Sequence, residues 1–278
     1  MVSKLTDDDV ATYRERGYVA IRDLLDPEQV NAMLLGLDRL LCAKHPGLAR
    51  SDARTVSADV HEKVLALAAR DRGALAQVYD AVRKLLPFWS TLGGEAVTGA
   101  VRRLLATDEV GVVFRGAGIR LDLPDEDRWR SAWHQEYHSQ ISSERALVAW
   151  FGLVPVTLDM GPVQILPGSH REGVLPVRAL DPLNRAKDYT RTFEIAGMDA
   201  LLARYETAEH ETGAGDVVFI DFRTVHQSGF NRSAGKSRVT CQVRYFDMSD
   251  PAAVARGWCG GWQENRNFVE IHPERVVS

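Results

Sequence analysis

The stretch Trp133-His134-Gln135-Glu136-Tyr137-His138 decides how this chain is read. On a helix, His134 and His138 would share a face, as in zinc proteases. That motif needs a glutamate directly after the first histidine, and Gln135 stands there instead. On an extended strand, residues i and i+2 share a face. His134 and Glu136 then point the same way and can grip one metal ion. A third ligand is offered by His226, within Phe222-Arg223-Thr224-Val225-His226-Gln227-Ser228-Gly229, directly after an apolar run. A histidine beside a tryptophan is more often a packing or hydrogen-bonding residue than a ligand. The reading therefore depends on what surrounds it.

The surroundings are β-type. From Val110 onward, short runs at 110–115, 118–123, 146–154, 163–166, 217–221 and 238–246 are separated by Gly, Pro, Asn and Asp. Many short strands with such punctuation predict a sandwich or barrel, and without long intervening helices they argue against a doubly wound parallel sheet. In the last run, Arg238, Thr240, Gln242 and Arg244 alternate with Val239, Cys241, Val243 and Tyr245. The polar stripe is either a solvent face or a polar barrel interior. In the interior, Arg238 can meet a small dicarboxylate through paired guanidinium–carboxylate bonds. Two histidines and a carboxylate leave three coordination positions open, the donor set of non-haem Fe(II) oxygenases.

The first hundred residues read as helices. Thr6 caps a helix whose first turn holds Asp7, Asp8 and Asp9, and Gly17 ends it. A short strand at 18–22 follows, and Asp26-Pro27 starts a second helix. Val30, Met33, Leu34, Leu37, Leu40 and Leu41 recur at helical spacing. Further helices are expected at about 73–86 and 95–106.

With 45% apolar and 26% charged residues, the 278-residue chain can bury a sizeable core as one domain. Net charge is −4 and no long basic block is present, which disfavours nucleic acid and anionic membranes as partners. The stretch MVSKLTDDDV has no apolar signal region, and no run approaches the roughly 18 apolar residues of a membrane span. Cys42, Cys241 and Cys259 are too few and too scattered for a disulfide framework or a CxxC metal site. A reducing, cytoplasmic setting is the expectation.

The chain resembles the phytanoyl-CoA dioxygenase family of Fe(II)/2-oxoglutarate oxygenases. The resemblance rests on Tyr13-Arg14-Glu15-Arg16-Gly17-Tyr18-Val19 with Leu25-Asp26-Pro27-Glu28-Gln29-Val30, and on Trp133-His134-Gln135-Glu136. It extends through Ile165-Leu166-Pro167-Gly168-Ser169-His170 and through His226-Gln227-Ser228-Gly229-Phe230-Asn231-Arg232-Ser233 followed by Arg238. It implies a mainly β fold with flanking helices: a double-stranded β-helix, the cupin-like jelly roll, with a helical N-terminal part. Residues 1–109 would be helical support, 110–248 the jelly-roll core, and 249–278 a C-terminal tail.

It further implies Fe(II) on His134, Glu136 and His226, with O2 and 2-oxoglutarate as co-substrates. Arg238 would bind the distal carboxylate of 2-oxoglutarate, assisted by Ser228, and His170 would be structural. Arg120 is a further co-substrate candidate. Asp122, Gln164 and Tyr137 are substrate candidates, with an ordinary rim ion pair as the plain alternative for Arg120 and Asp122. Glu136 stands where the family usually has Asp. Arg238 follows His226 by twelve residues, about one more than the family pattern. A carboxylate at 136 also argues against halogenation, because halogenases of this type leave that position to chloride.

Hydroxylation of a small-molecule substrate is the default expectation, with desaturation, ring formation and epoxidation open on the same metal centre, and the substrate itself is not written in the sequence. Two rivals from other classes are a metal-dependent cupin-type isomerase or hydrolase, which would need no Arg238, and a non-catalytic binding protein on the same scaffold. The segment 171–212 is long for a connection, so it reads as an insertion or substrate lid. Leu175, Val177, Leu180, Leu183, Phe193, Ile195, Leu201 and Leu202 make a packed excursion the alternative.

Overall fold

Thr6 begins the first helix, α1 (Asp7–Arg16), with a reciprocal cap. Its hydroxyl accepts the Asp9 N–H at 3.1 Å, and the Asp9 carboxylate accepts the Thr6 N–H at 2.8 Å. Gly17 closes α1 with φ +74°, and a Cβ there would lie 2.3 Å from Thr224 Oγ1. Both the backbone angle and the close approach require glycine. The chain then runs as β1 (Tyr18–Ile21) into α2 (Pro27–Lys44), whose start carries proline in the first turn.

Four more helices follow: α3 (Val56–Arg70), α4 (Arg72–Ala81), α5 (Leu86–Leu92) and α6 (Glu95–Leu105). The single helix expected at 73–86 is two elements. Pro87 cannot donate to a preceding turn, so the helix stops, Leu85 is extended, and Pro87 sits in the first turn of α5. Helix α3, not separated out by the sequence reading, buries Val56, Val60, Val64 and Leu67 along one face. This computed structural model describes residues 4–127, 130–179, 193–258 and 268–277.

The strands are β2 (Val110–Val112), β3 (Gly118–Asp122), β4 (Ala146–Gly152), β5 (Val163–Ile165), β6 (Val177–Ala179) and β7 (Phe193–Ile195). After helix α7 (Met198–Arg204) come β8 (Val217–Asp221), β9 (His226–Ser228) and β10 (Arg238–Asp247). The C-terminal part holds α8 (Pro251–Ala255), α9 (Phe268–Ile271) and β11 (Val276–Val277). The main sheet has the order β1-β8-β4-β10-β2, with β3 also paired to β10. Strands β5 and β9 form a second, antiparallel pair, and β11-β6-β7 a third sheet.

Register sorts the main sheet into two faces. Cross-strand rows Ile220–Val148–Arg244, Trp150–Gln242, Thr240–Arg120 and Arg238–Asp122 lie on one face. The other face carries Phe219, Ala149, Val243, Phe151, Cys241, Ile119 and Leu121, all buried. Helices α4 and α6 pack against strands of this sheet. The polar stripe on β10 therefore faces inward, toward β5–β9, and the two sheets enclose a cavity. This is the jelly-roll arrangement.

The flanks of the expected 171–212 insertion are ordered elements. Strands β6 and β7 pair, and Ile195 and Leu201 pack with Leu166 and Val225. Leu180 and Leu183, with the rest of 180–192, lie outside the described residues, as does Cys259. Among the described residues, no helix is long and apolar enough to cross a membrane.

Candidate metal centre

The backbone brings the ligand candidates together first. His134 and His226 face each other across an antiparallel bridge, each N–H donating to the other's carbonyl at 3.0 Å. Gln135 is extended, so His134 and Glu136 turn to the same side. Its own side chain turns the other way and is fully buried. The Gln135 amide donates to the Gly173 and Arg223 carbonyls, at 2.9 and 2.6 Å, and accepts the Leu175 N–H at 2.9 Å. The backbone between the two ligands is thereby fixed on two neighbouring segments, around 173–175 and at Arg223.

One ligand atom from each of His134, Glu136 and His226 lies within 4.8 Å of the others, an arrangement that could hold a metal ion. Glu136 Oε2 is 3.8 Å from both His134 Nε2 and His226 Nε2. Each histidine has Nδ1 against a backbone carbonyl: Ala132 at 2.7 Å for His134, Thr224 at 2.9 Å for His226. Donation from Nδ1 fixes the tautomer and leaves each Nε2 lone pair facing its neighbours, the usual preparation for metal binding.

The electrostatics agree. Burial, then the neighbouring His134, lower the His226 pKa to about 3, so its imidazole is neutral near pH 7. Burial alone would raise Glu136, but the Arg244 charge and the adjacent histidines outweigh it and hold the carboxyl well below the usual range. The centre thus presents one carboxylate and one neutral imidazole in their ligand forms.

The ligands open onto the cavity between the sheets, whose wall includes Arg120, Trp150, Ser228, Arg238, Thr240 and Gln242. Arg238, buried, donates to Asp122 Oδ2 from Nη2 at 3.0 Å and from Nε at 3.3 Å. Its Nη1 donates to the Gly229 carbonyl at 3.1 Å. Arg120 Nη2 donates to Asp122 Oδ1 at 2.9 Å. Burial would raise the Asp122 pKa, but the two guanidinium groups outweigh it and bring the carboxyl down to about 2. Asp122 is therefore a shared counter-ion for two arginines, and it does not line the cavity wall.

Two more sequence candidates sit away from the wall. Tyr137 was expected at the substrate, but it is fully buried. Its phenol is 2.9 Å from His272 Nε2 and its ring is edge-on to Phe268. The reason is local: the chain tightens into a 3₁₀ turn at Glu136–His138, which carries Tyr137 inward. Burial pushes its phenol up to about 12. Gln164, also expected at the substrate, accepts from Gln227 Nε2 at 2.6 Å and donates to Glu209 at 2.9 Å. Its partner Gln227 is the residue that reaches the wall. His138 is not a ligand either: its Nε2 lies 3.0 Å from the Leu175 carbonyl, and burial lowers it to about 4.

The Pro167-Gly168-Ser169-His170 segment is scaffolding for the ligand strand. Ser169 Oγ accepts the Val225 N–H at 2.8 Å, one residue before His226, and the His170 ring meets the Arg14 carbonyl at 3.1 Å. The sequence reading placed Thr240 and Arg244 on the polar stripe of the last strand but gave neither a contact with the metal ligands. Thr240 Oγ1 is buried in the cavity wall and, among the described residues, has no hydrogen-bond partner. Arg244 Nε donates to Glu136 Oε1 at 3.0 Å. The alternation along β10 was the signal that could have found both.

An inward-facing two-histidine, one-carboxylate set on a jelly roll defines the class of mononuclear metal centres found in non-haem Fe(II) oxygenases. Within that class, the chain belongs to the phytanoyl-CoA dioxygenase family, whose model matches residues 13–240. The ectoine dioxygenase of Bordetella bronchiseptica is 26% identical over 238 residues, covering 82% of this chain and 71% of that protein. Solved structures share the fold. EctD from S. alaskensis with bound Fe superposes with a TM-score of 0.55 at 19% identity, over 90% of this chain and 79% of that one. EvdO2 from Micromonospora carbonacea var. aurantiaca, complexed with 2-oxoglutarate, gives 0.54 at 19% identity, over 90% and 96%.

Proposed function

We propose that the protein is an Fe(II)- and 2-oxoglutarate-dependent dioxygenase that hydroxylates a small-molecule metabolite, with release of succinate and CO2. The observation that carries this is the convergence of three ligand atoms within 4.8 Å on the wall of the same cavity that Arg238 lines. His134, Glu136 and His226 would hold the iron. With 2-oxoglutarate and O2, the bound iron supplies the oxidant for an unactivated C–H bond.

The wall suits a dicarboxylate. Three guanidinium groups, from Arg120, Arg238 and Arg244, face the two carboxylates of Asp122 and Glu136, which leaves net positive charge. Thr240 Oγ1 is an orphaned buried hydroxyl beside Arg120 in the register, on the same strand as Arg238. Buried polar atoms are nearly always bonded, so an orphan facing a cavity is available to a ligand or water bound there. Arg238, Thr240 and Ser228 would together bind the distal carboxylate, and Arg120 would hold Asp122 in place behind them.

The direct test is succinate release from 2-oxoglutarate by the purified protein with Fe(II), followed across a metabolite panel that includes ectoine, the substrate named for the curated relatives. Chelation of iron should stop turnover, and the true substrate should stimulate it. Absence of any 2-oxoglutarate consumption would favour an isomerase, a hydrolase or a binding protein. Thr240→Val, which keeps the volume and removes the hydroxyl, should weaken 2-oxoglutarate binding by about 2–10-fold, the effect of one hydrogen bond. An anaerobic titration reads this. An unchanged affinity would take Thr240 out of the co-substrate site.

A further inference from the structure

We propose that Arg244 is a positioning residue that restricts Glu136 to one ligand oxygen, an inference that rests on the dioxygenase reading above. Glu136 is one methylene longer than an aspartate would be. Its extra methylene adds a rotatable bond, so the carboxylate can turn to present one oxygen or both. The structure holds it in one orientation. Arg244 Nε donates to Oε1 at 3.0 Å, and Ser139 Oγ lies 3.1 Å from the same oxygen. Arg244 is itself fixed, buried in the sheet and donating through Nη1 to the Gly116 carbonyl. Oε2 is left to face the two Nε2 atoms at 3.8 Å each.

The consequence concerns the open positions. A carboxylate free to close on the ion with both oxygens would take one of the three positions that 2-oxoglutarate and O2 require. A charge-assisted bond to Oε1 opposes that closure, from a residue that is not itself one of the three ligands. The same alternation that puts Arg238 at the start of β10 puts Arg244 further along the same face, so one strand face serves both the metal ligand and the far wall of the cavity.

The experiment compares the parent protein with Arg244→Met, under anaerobic conditions, by two titrations. The first is Fe(II) binding. The second is 2-oxoglutarate binding to the iron-loaded protein, followed by the visible charge-transfer absorption of a chelated keto acid. Expected for Arg244→Met is Fe(II) affinity retained within about 3-fold, because the second Glu136 oxygen closing on the ion offsets the lost outer-shell partner, and 2-oxoglutarate affinity reduced by about 10–100-fold, or roughly 1.4–2.8 kcal/mol. Adding Glu136→Asp to Arg244→Met should recover most of the loss, because the shorter carboxylate does not need the restraint. Unchanged 2-oxoglutarate affinity in Arg244→Met would overturn the proposal. So would loss of iron together with co-substrate, since Arg244 would then merely support the ligand. If Arg244→Met fails to fold, Arg244→Val, a β-branched residue suited to a strand and without a donor for Oε1, decides on the same two titrations. Absence of a charge-transfer band in the parent would instead sink the dioxygenase reading itself.

Discussion

His226→Ala is expected to abolish Fe(II)-dependent turnover of 2-oxoglutarate while leaving the protein folded. The imidazole supplies one of the three converging ligand atoms, and its Nδ1 partner, the Thr224 carbonyl, already orients it. Loss of an outer-shell partner alone typically costs about 10–100-fold in metal affinity, so removing a ligand should exceed ~100-fold in activity. The fold should survive because the bridge that seats this strand is made of main chain. His226 N–H to the His134 carbonyl, and the reverse, do not involve the ring. The side chain also borders a cavity that water can fill. Activity and iron content, with a thermal unfolding curve as control, read the result. Full activity in His226→Ala would mean that the metal centre lies elsewhere.

The centre was legible in the sequence because its two halves follow simple rules. His134 and Glu136 share a face through the extended Gln135 between them, and His226 follows an apolar strand that had to be buried. The inward stripe on β10 was visible as alternation, but alternation does not say which sheet it faces, and that choice waited on the pairing of β10 with β3 and β4. What escaped was pairing between distant residues. Arg244 and Glu136 are 108 residues apart, and nothing local marks one as the partner of the other. Asp122 was read as a substrate contact from the family resemblance, with a rim ion pair to Arg120 as the alternative. Its second arginine, Arg238, is 116 residues away, and only the register between β3 and β10 makes it a buried counter-ion. Tyr137 was misplaced by a change of periodicity, since the chain leaves the extended state for a 3₁₀ turn at Glu136. Its destination, Phe268 and His272, comes from the far end of the chain.

Arg238→Ala should raise the apparent KM for 2-oxoglutarate by about 10–100-fold or more, the equivalent of a few kcal/mol for a lost charged, hydrogen-bonded partner. The size follows from burial: Arg238 is 4% exposed, so water does not replace its donors at the cavity wall. Iron binding should be largely retained, because the bonds of Arg238 go to Asp122 and to the Gly229 and Met160 carbonyls and to none of the three ligands. Some stability should be lost, since Asp122 then keeps only Arg120. Removing one member of a buried ion pair typically costs about 3–5 kcal/mol, and the second arginine should hold the loss below that range. Arg238→Lys separates charge from geometry: an ammonium preserves the sign but cannot offer two parallel donors to one carboxylate, so its KM should fall between parent and alanine. The split between a raised KM and intact iron content is what distinguishes a co-substrate anchor from a residue that supports the sheet. An unchanged KM in Arg238→Ala would move the anchor to Arg120, whose guanidinium lies on the same wall and shares the same counter-ion.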